Sequence, residues 1–312
     1  MINQTAGIIV AAGKREDRGM VSPLFEIGSI SIIKRIVLTF QQANISPIVV
    51  VTGYQSLEVE QHLSDYGVIF LKNENFDCTD KLASAKIGLE FIQDKCQQVF
   101  FTSISIPMYS SSTLQQLMRA DGWVVAPSYH GKSGHPLLIN QRLIKDILAY
   151  EGSGGMRHAL QMIGAEKTYV SVEDQGIILE ADDIERLDGL WQYHNDKLIH
   201  PFLRLSIEKE SLFFNSRAKL LLMLIQETHS VKSACKHMAL SYGKAWNMIN
   251  EMEEALGYEV LVRKHGGSRG GQSLLTREGE IFLEKYQKYE DDVRRYAIQH
   301  FGEIFTEFGK MN

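Results

Sequence analysis

Several short stretches of this chain carry residue types that can do chemistry. The first is GIIVAAGKREDRG, an apolar run that breaks into glycine and cations at Gly13. A glycine-containing loop leaving a strand can aim backbone N–H groups at one anion, with the dipole of the next helix behind them. Ala11, Ala12, Gly13, Lys14 and Arg18 are the residues so placed. A purely structural turn would use the same glycine. Ser105 in FFTSISIP follows a second apolar run. His135 lies in GKSGHPLLI; it either faces a ligand cleft or braces the turn before Pro136. Arg157 lies in GSGGMRHAL and either meets an acidic ligand or is solvated. Asp182 and Asp183 are adjacent carboxylates.

A different chemistry lies between Thr228 and Gly279. The order there is a helix, a tight turn at Ala239–Leu240, a second helix, and a basic glycine-rich hairpin, which describes a winged helix-turn-helix. Ser230 and Ser241 are natural helix caps. Val231, Ala234, Cys235 and Met238 make one packing face; Ala245, Met248, Ile249, Met252 and Leu256 make the other, with Trp246 at the core or its edge. Ser241, Tyr242, Lys244 and Asn247 are then free to meet double-stranded DNA, since the first turn of a recognition helix reads base edges. Asparagine can pair bidentately with adenine, and lysine can contact guanine or phosphate. No acid occurs from Ser230 to Asn250 or from Val260 to Arg277. Arg263, Lys264 and Arg269 sit in the hairpin, whose glycines allow close approach to a phosphate backbone.

These residues need a scaffold, and the first half of the chain supplies an α/β pattern. Gly7–Ala12, Pro47–Thr52, Val68–Leu71 and Val99–Thr102 read as strands, alternating with helices over Ser31–Ala43, Leu57–Tyr66 and Lys81–Ile92. Strands apolar on both faces and separated by helices predict a mainly parallel sheet covered on both sides. Val124–Pro127 and Leu137–Ile139 add strands, and Ile184–Tyr193 reads as a last helix. His194–Pro201 breaks the periodicity, so domains are expected at 1–196 and 202–312. Phe202–Lys209 alternates like a strand, Arg217–Glu227 is an apolar helix, and Glu280–Phe308 is a long charged helix or helix pair. Such a final helix either dimerises or packs on its own domain.

Bulk properties narrow the class. The chain has 312 residues, 44% apolar and 23% charged, enough for two soluble domains. Its net charge of -5 does not suggest a nucleic-acid binder, so the local distribution decides. Cys78, Cys96 and Cys235 are too few and too far apart for a disulfide framework or a cysteine-rich metal site. No apolar run approaches a membrane span, and the N-terminus lacks the parts of a signal peptide. A cytoplasmic protein with no membrane partner is expected.

Two resemblances bring these readings together. IIVAAGKREDRGMVSPLFEIG, FFTSISIP, GKSGHPLLI and GSGGMRHAL resemble, in the same order, the segments of the molybdenum-cofactor nucleotidyltransferases, which transfer CMP or GMP to molybdopterin. The resemblance spans roughly residues 5–192 and implies a Rossmann-like α/β nucleotidyltransferase-type domain. It also implies Mg²⁺ with a nucleotide or molybdopterin-type ligand, although the sequence fixes no cofactor. The family's loop arginine falls at Arg18, its lysine at Pro23 and its metal-binding aspartate at Ser105; Asp182 and Asp183 fall at its second acidic motif, which makes Asp182 the candidate metal ligand. Neither proline nor serine supplies the missing charge. Lys14, Arg15 and Arg18 can still attract an anion. Three outcomes are open: a ligand site without turnover, a transferase in which Lys14 or Arg18 and Asp182 compensate, and a scaffold that recruits a partner.

SYGKAWNMINEMEEALG and VRKHGGSRGGQSLLTREGE resemble the DNA-binding domain of the bacterial molybdate-responsive regulators, a LysR-type winged helix, over about residues 202–290. Those regulators are homodimers on palindromic sites. They sense molybdate through separate small oxyanion-binding domains, for which no room is left before Asn312, so sensing of that type is not expected. The combined expectation is a dimeric transcriptional regulator of molybdenum-cofactor or molybdoenzyme genes. In it, a degenerate transferase-like domain senses a nucleotide or cofactor-like small molecule.

Overall fold

The computed structural model of the chain describes residues 3–13, 22–183, 190–199, 201–264 and 272–306. The chain divides into two compact units, residues 1–199 and 200–311.

Unit 1 is built on an eight-stranded sheet. Its elements run β1 (Asn3–Ala11), β2 (Glu26–Ile27), β3 (Ile30–Ser31), α1 (Ile32–Gln42), β4 (Ile48–Thr52), α2 (Ser56–His62), β5 (Ile69–Lys72), α3 (Lys81–Ile92), β6 (Cys96–Ser103), α4 (Ser111–Met118), β7 (Val124–Tyr129), β8 (Lys132–Ser133), β9 (Leu137–Asn140), α5 (Ile144–Ala149), α6 (Gly155–Met162), β10 (Lys167–Ser171) and α7 (Trp191–Lys197). The sheet order is β10-β7-β9-β6-β1-β4-β5, with β8 paired to β7 and the β2–β3 hairpin separate. β4, β1 and β6 are mutually parallel, as are β4 and β5, and β10 and β7. β9 runs antiparallel between β6 and β7, and β8 pairs antiparallel with β7.

The apolar run at β1 is buried on both faces because helices cover both. Ile8 and Ile9 are fully enclosed, and so are Val49, Val50 and Val51 of β4. On one face, α1 starts where Ser31 accepts a hydrogen bond from the Lys34 N–H, and Ile32, Ile33, Ile36, Val37 and Phe40 then recur at helical spacing toward the sheet. Phe40 packs on Phe100 and Tyr109, with ring centroids 6.0 and 6.2 Å apart. Each such fully buried side chain stabilises the unit by about 1.5–3 kcal/mol.

In unit 2 a hairpin of β11 (Ser206–Glu208) and β12 (Leu212–Asn215) leads into α8 (Ser216–Thr228), α9 (Val231–His237) and α10 (Tyr242–Leu256). A second antiparallel hairpin, β13 (Leu261–Lys264) with β14 (Gln272–Leu275), precedes α11 (Arg277–Ile304). Phe214 seats α11: it meets Phe282 edge-on at 4.8 Å and Tyr286 at 4.7 Å.

Several sequence expectations are corrected. His194 does not break periodicity: it is buried within α7, one turn after Trp191. Of the helix read at Ile184–Tyr193, residues 184–189 lie outside the described residues, and the helix found begins at Trp191. Only Ser206–Glu208 of the strand read at Phe202–Lys209 pairs with a neighbour. Met248 and Leu256 are half-buried rather than core. The C-terminal segment is a single helix of 28 residues.

Candidate functional site

The exit of β1 is enclosed by β4. The Ala12 carbonyl accepts from the Tyr54 N–H at 3.1 Å. A Cβ on Gly53 would stand 2.5 Å from that carbonyl oxygen and 2.7 Å from Phe76 Cβ, so only glycine lets the two strand ends lie this close. Ala11 and Ala12 are buried and Gly13 is half-buried. Lys14, Arg15 and Arg18 lie outside the described residues.

One connecting segment, residues 174–181, brings the other candidates together. It is anchored at Asp174, whose carboxylate accepts from the Ser110 N–H at 2.8 Å, the Ser110 hydroxyl at 2.9 Å and the Thr113 hydroxyl at 2.5 Å. Further along, the Ile177 carbonyl accepts from the His135 N–H at 2.9 Å, and the Ala181 N–H donates to the Ser105 carbonyl at 2.8 Å. Ser105, His135 and Asp182 therefore lie along one strip of backbone. Gly134 makes this possible: a Cβ there would stand 2.3 Å from the Ile177 carbonyl oxygen. His135 thus braces the turn through its backbone. Its ring Nδ1 is buried without a hydrogen-bond partner. Asp182 is exposed and Asp183 half-buried.

The charge of this strip comes from Arg157, which the sequence singles out, and from Lys81 and Lys167, which it does not. Lys81, the exposed first residue of α3, donates to the Ser105 hydroxyl at 3.1 Å. Lys167 opens β10. Arg157 stands exposed in the first turn of α6. Burial, with added repulsion from Lys81, Lys167 and Arg157, holds the His135 imidazole down at about 4, so it is neutral at physiological pH. Burial, then Arg157, also lowers the Lys167 ammonium. Among the described residues no carboxylate pairs with Lys81, Arg157 or Lys167. The donor set does not fit Mg²⁺. Ser105 is a neutral hydroxyl engaged with an ammonium, and among the described residues no three His, Cys, Asp or Glu side chains gather as a metal site. The arrangement suits an anion.

Unit 2 offers a second surface. Ser230 accepts from the Ser233 N–H at 3.2 Å and starts α9; Ser241 accepts from the Lys244 N–H at 3.4 Å and starts α10. Between them Ala239 takes a positive φ of 49°. Val231, Ala234, Cys235 and Met238 are buried, as are Ala245, Ile249 and Met252. Packing these faces leaves Ser241, Tyr242, Lys244 and Asn247 exposed along the first turns of α10. Tyr242 meets half-buried Trp246 edge-on at 6.0 Å. Glu253 fixes the following hairpin against α10, accepting from the N–H groups of Val260 at 2.9 Å and Leu261 at 3.3 Å. The Ser273 N–H ties the other strand to the His229 carbonyl at 3.0 Å. The backbone of Arg263 and Lys264 belongs to β13; their side chains, and all of Arg269, lie outside the described residues. Among the described residues no helix is long and apolar enough to cross a membrane.

Comparison with known proteins bears on both units. Over 79 residues the chain is 40% identical to the transcriptional regulator ModE of Yersinia pestis, a match covering 25% of this chain and 30% of that protein. It is 33% identical over 75 residues to the molybdenum-pterin-binding protein MopB of Rhodobacter capsulatus, covering 24% of this chain and 28% of that one. The chain thus spans under a third of the length of these relatives. In structure it resembles a nucleotidyl transferase from Methanothermobacter, with a TM-score of 0.52 and 21% identity over 63% of this chain and 98% of the other. It is as similar to Rv0371c of Mycobacterium tuberculosis H37Rv, with a TM-score of 0.52 and 15% identity over 61% of this chain and 100% of the other. The first of these shows the nucleotidyltransferase fold. The profile of the MobA-like NTP transferase domain matches residues 7–169, more than half of the chain, and the protein belongs to that family.

Proposed function

We propose that the chain is a DNA-binding transcriptional regulator of molybdenum-cofactor or molybdoenzyme genes. Unit 2, a winged helix-turn-helix of LysR type, binds double-stranded DNA as a homodimer. Unit 1 senses a nucleotide or molybdopterin-type anion. The observation that carries the reading is the exposed row Ser241, Tyr242, Lys244 and Asn247 at the start of α10, on a helix pair with no acid from Ser230 to Asn250. Similarity to regulators named ModE supports it. Exposed Tyr289, Tyr296 and Ile304 on α11 support self-association through that helix.

The test is fluorescence anisotropy of the full chain on DNA from its own locus and upstream of molybdoenzyme genes, over a salt series. Lys244→Ala reduces the salt slope by about 1, as expected for a lost phosphate contact. Asn247→Ala costs about 1–3 kcal/mol on the specific site and little elsewhere. Salt-insensitive binding, or none to any of these fragments, sinks the reading. A second reading, CTP or GTP:molybdopterin nucleotidyl transfer, is supported by the closeness of Asp182 to Ser105. It requires turnover that Asp182→Ala abolishes.

A further inference from the structure

Accepting unit 1 as an anion sensor, we infer that the strip around Ser105 and His135 binds an oligophosphate, free or carried on a nucleoside, without a divalent cation. The ammonium of Lys81 stands within hydrogen-bond distance of Ser105, 3.1 Å from its hydroxyl. It also sits at the N-terminus of a 12-residue helix, where the peptide dipole adds positive potential. Arg157 in the first turn of α6 and Lys167 at the start of β10 repel the same imidazole that Lys81 repels, so all three cations act on one place. None has a carboxylate partner among the described residues. The Nδ1 of His135 is a buried polar atom left without a hydrogen-bond partner beside this strip.

A metal at this place meets the opposite conditions. Mg²⁺ beside Ser105 would stand against the Lys81 ammonium, with a neutral hydroxyl at Ser105 and only the exposed Asp182 carboxylate nearby on the strip. An oligophosphate carries its own negative charge and needs cations, which the strip supplies from three elements. Charge-assisted hydrogen bonds from fixed cations do for the anion what a metal would do elsewhere. The inference therefore names both the ligand class and the absence of a metal requirement.

The experiment is isothermal titration of the full chain with inorganic triphosphate, CTP and GTP, each in EDTA and in Mg²⁺. Binding of equal strength in both buffers is expected. Lys81→Gln, a change at an exposed side chain, weakens binding in EDTA by about ten- to a hundredfold, and Lys81→Arg restores most of it. Ser105→Asp pairs with Lys81, weakens binding in EDTA and makes it respond to Mg²⁺. Preference for CTP or GTP over triphosphate identifies a nucleotide as the carrier; equal binding identifies the phosphate chain itself, and either supports the inference. Binding that needs Mg²⁺ overturns the metal independence and leaves the sensor reading standing. No binding of any probe in either buffer overturns this inference and the nucleotide form of the sensor reading, and leaves a molybdopterin-type anion as the ligand that reading requires.

Discussion

His135 gives the anion strip a pH signature that can be worked out from its surroundings. Burial and the nearby Lys81, Lys167 and Arg157 hold the folded imidazole at about 4, against an ordinary 6.5. Below pH 6.5 the unfolded chain takes up this proton while the folded chain refuses it until about pH 4. The unfolded state therefore binds more protons in that window, and stability falls as the pH drops from 6.5 to 4. Above 6.5 the contribution is fully present. A difference of about 2.5 pH units corresponds to about 3 kcal/mol, with a slope approaching 1.4 kcal/mol per pH unit mid-window. Carboxylates titrate over part of the same range, so the quantity to read is the difference between the parent and His135→Gln. Trp123 and Trp191 lie in unit 1 and Trp246 in unit 2, so fluorescence in a Trp246→Phe background follows urea unfolding of unit 1 alone. The parent loses about 3 kcal/mol more than His135→Gln between pH 6.5 and 4. In parallel, the imidazole resonance that disappears in His135→Gln titrates near 4 in the free protein, and nearer 6.5 when triphosphate neutralises the surrounding cations. Equal pH slopes in the two proteins, or a resonance titrating at 6.5 in the free protein, refute the argument.

Two further substitutions test how the units are held. Glu290 is nearly buried, accepting from Lys219 of α8 and from the Ser216 hydroxyl at 3.3 Å, with Arg294 at 3.9 Å. Glu290→Ala leaves Lys219 unpaired at 22% side-chain exposure and lowers the stability of unit 2 by about 2–3 kcal/mol, read by urea unfolding followed through Trp246; a change under 0.5 kcal/mol would count against the pairing. Gly134→Ala drives a Cβ to 2.3 Å from the Ile177 carbonyl oxygen, so the strip must shift. A loss of at least about 1 kcal/mol in unit 1 and weaker triphosphate binding are expected together, and unaltered melting would show that the contact has room to relax.

Much of the scaffold was legible because its signals are local. The run GIIVAA and the periodic SIIKRIVLTFQQA specify a strand and a helix wherever they are placed, and Lys81–Ile92 is bounded by its Asp80 cap. The elements that went unread are short or polar. Helices Ser111–Met118 and Gly155–Met162 have only eight residues each, and β10 carries no fully buried position because it is an edge strand. The same limit hid the cations of the site. Lys81 and Lys167 meet the His135 region only through the order of strands in the sheet, which no spacing along the chain reveals. The exposed face of α10 was readable by contrast, since a 15-residue helix displays its buried stripe and hence its opposite side.

The departures from the nucleotidyltransferase pattern and the charge around Ser105 lead to one account. Catalysis requires interactions that strengthen as the transition state forms, and binding a ground state tightly does not supply them. Lys81 stands against the neutral Ser105, and Lys81, Arg157 and Lys167 all act on His135, an arrangement suited to holding an oligophosphate as it arrives. A regulator has reason to hold its ligand in this way. A site that consumed the ligand would erase the signal, whereas one that only binds can shift a two-state equilibrium by its unequal affinity for the two states. On the proposed reading, a neutral Ser105 beside Lys81 favours holding a ligand over turning it over.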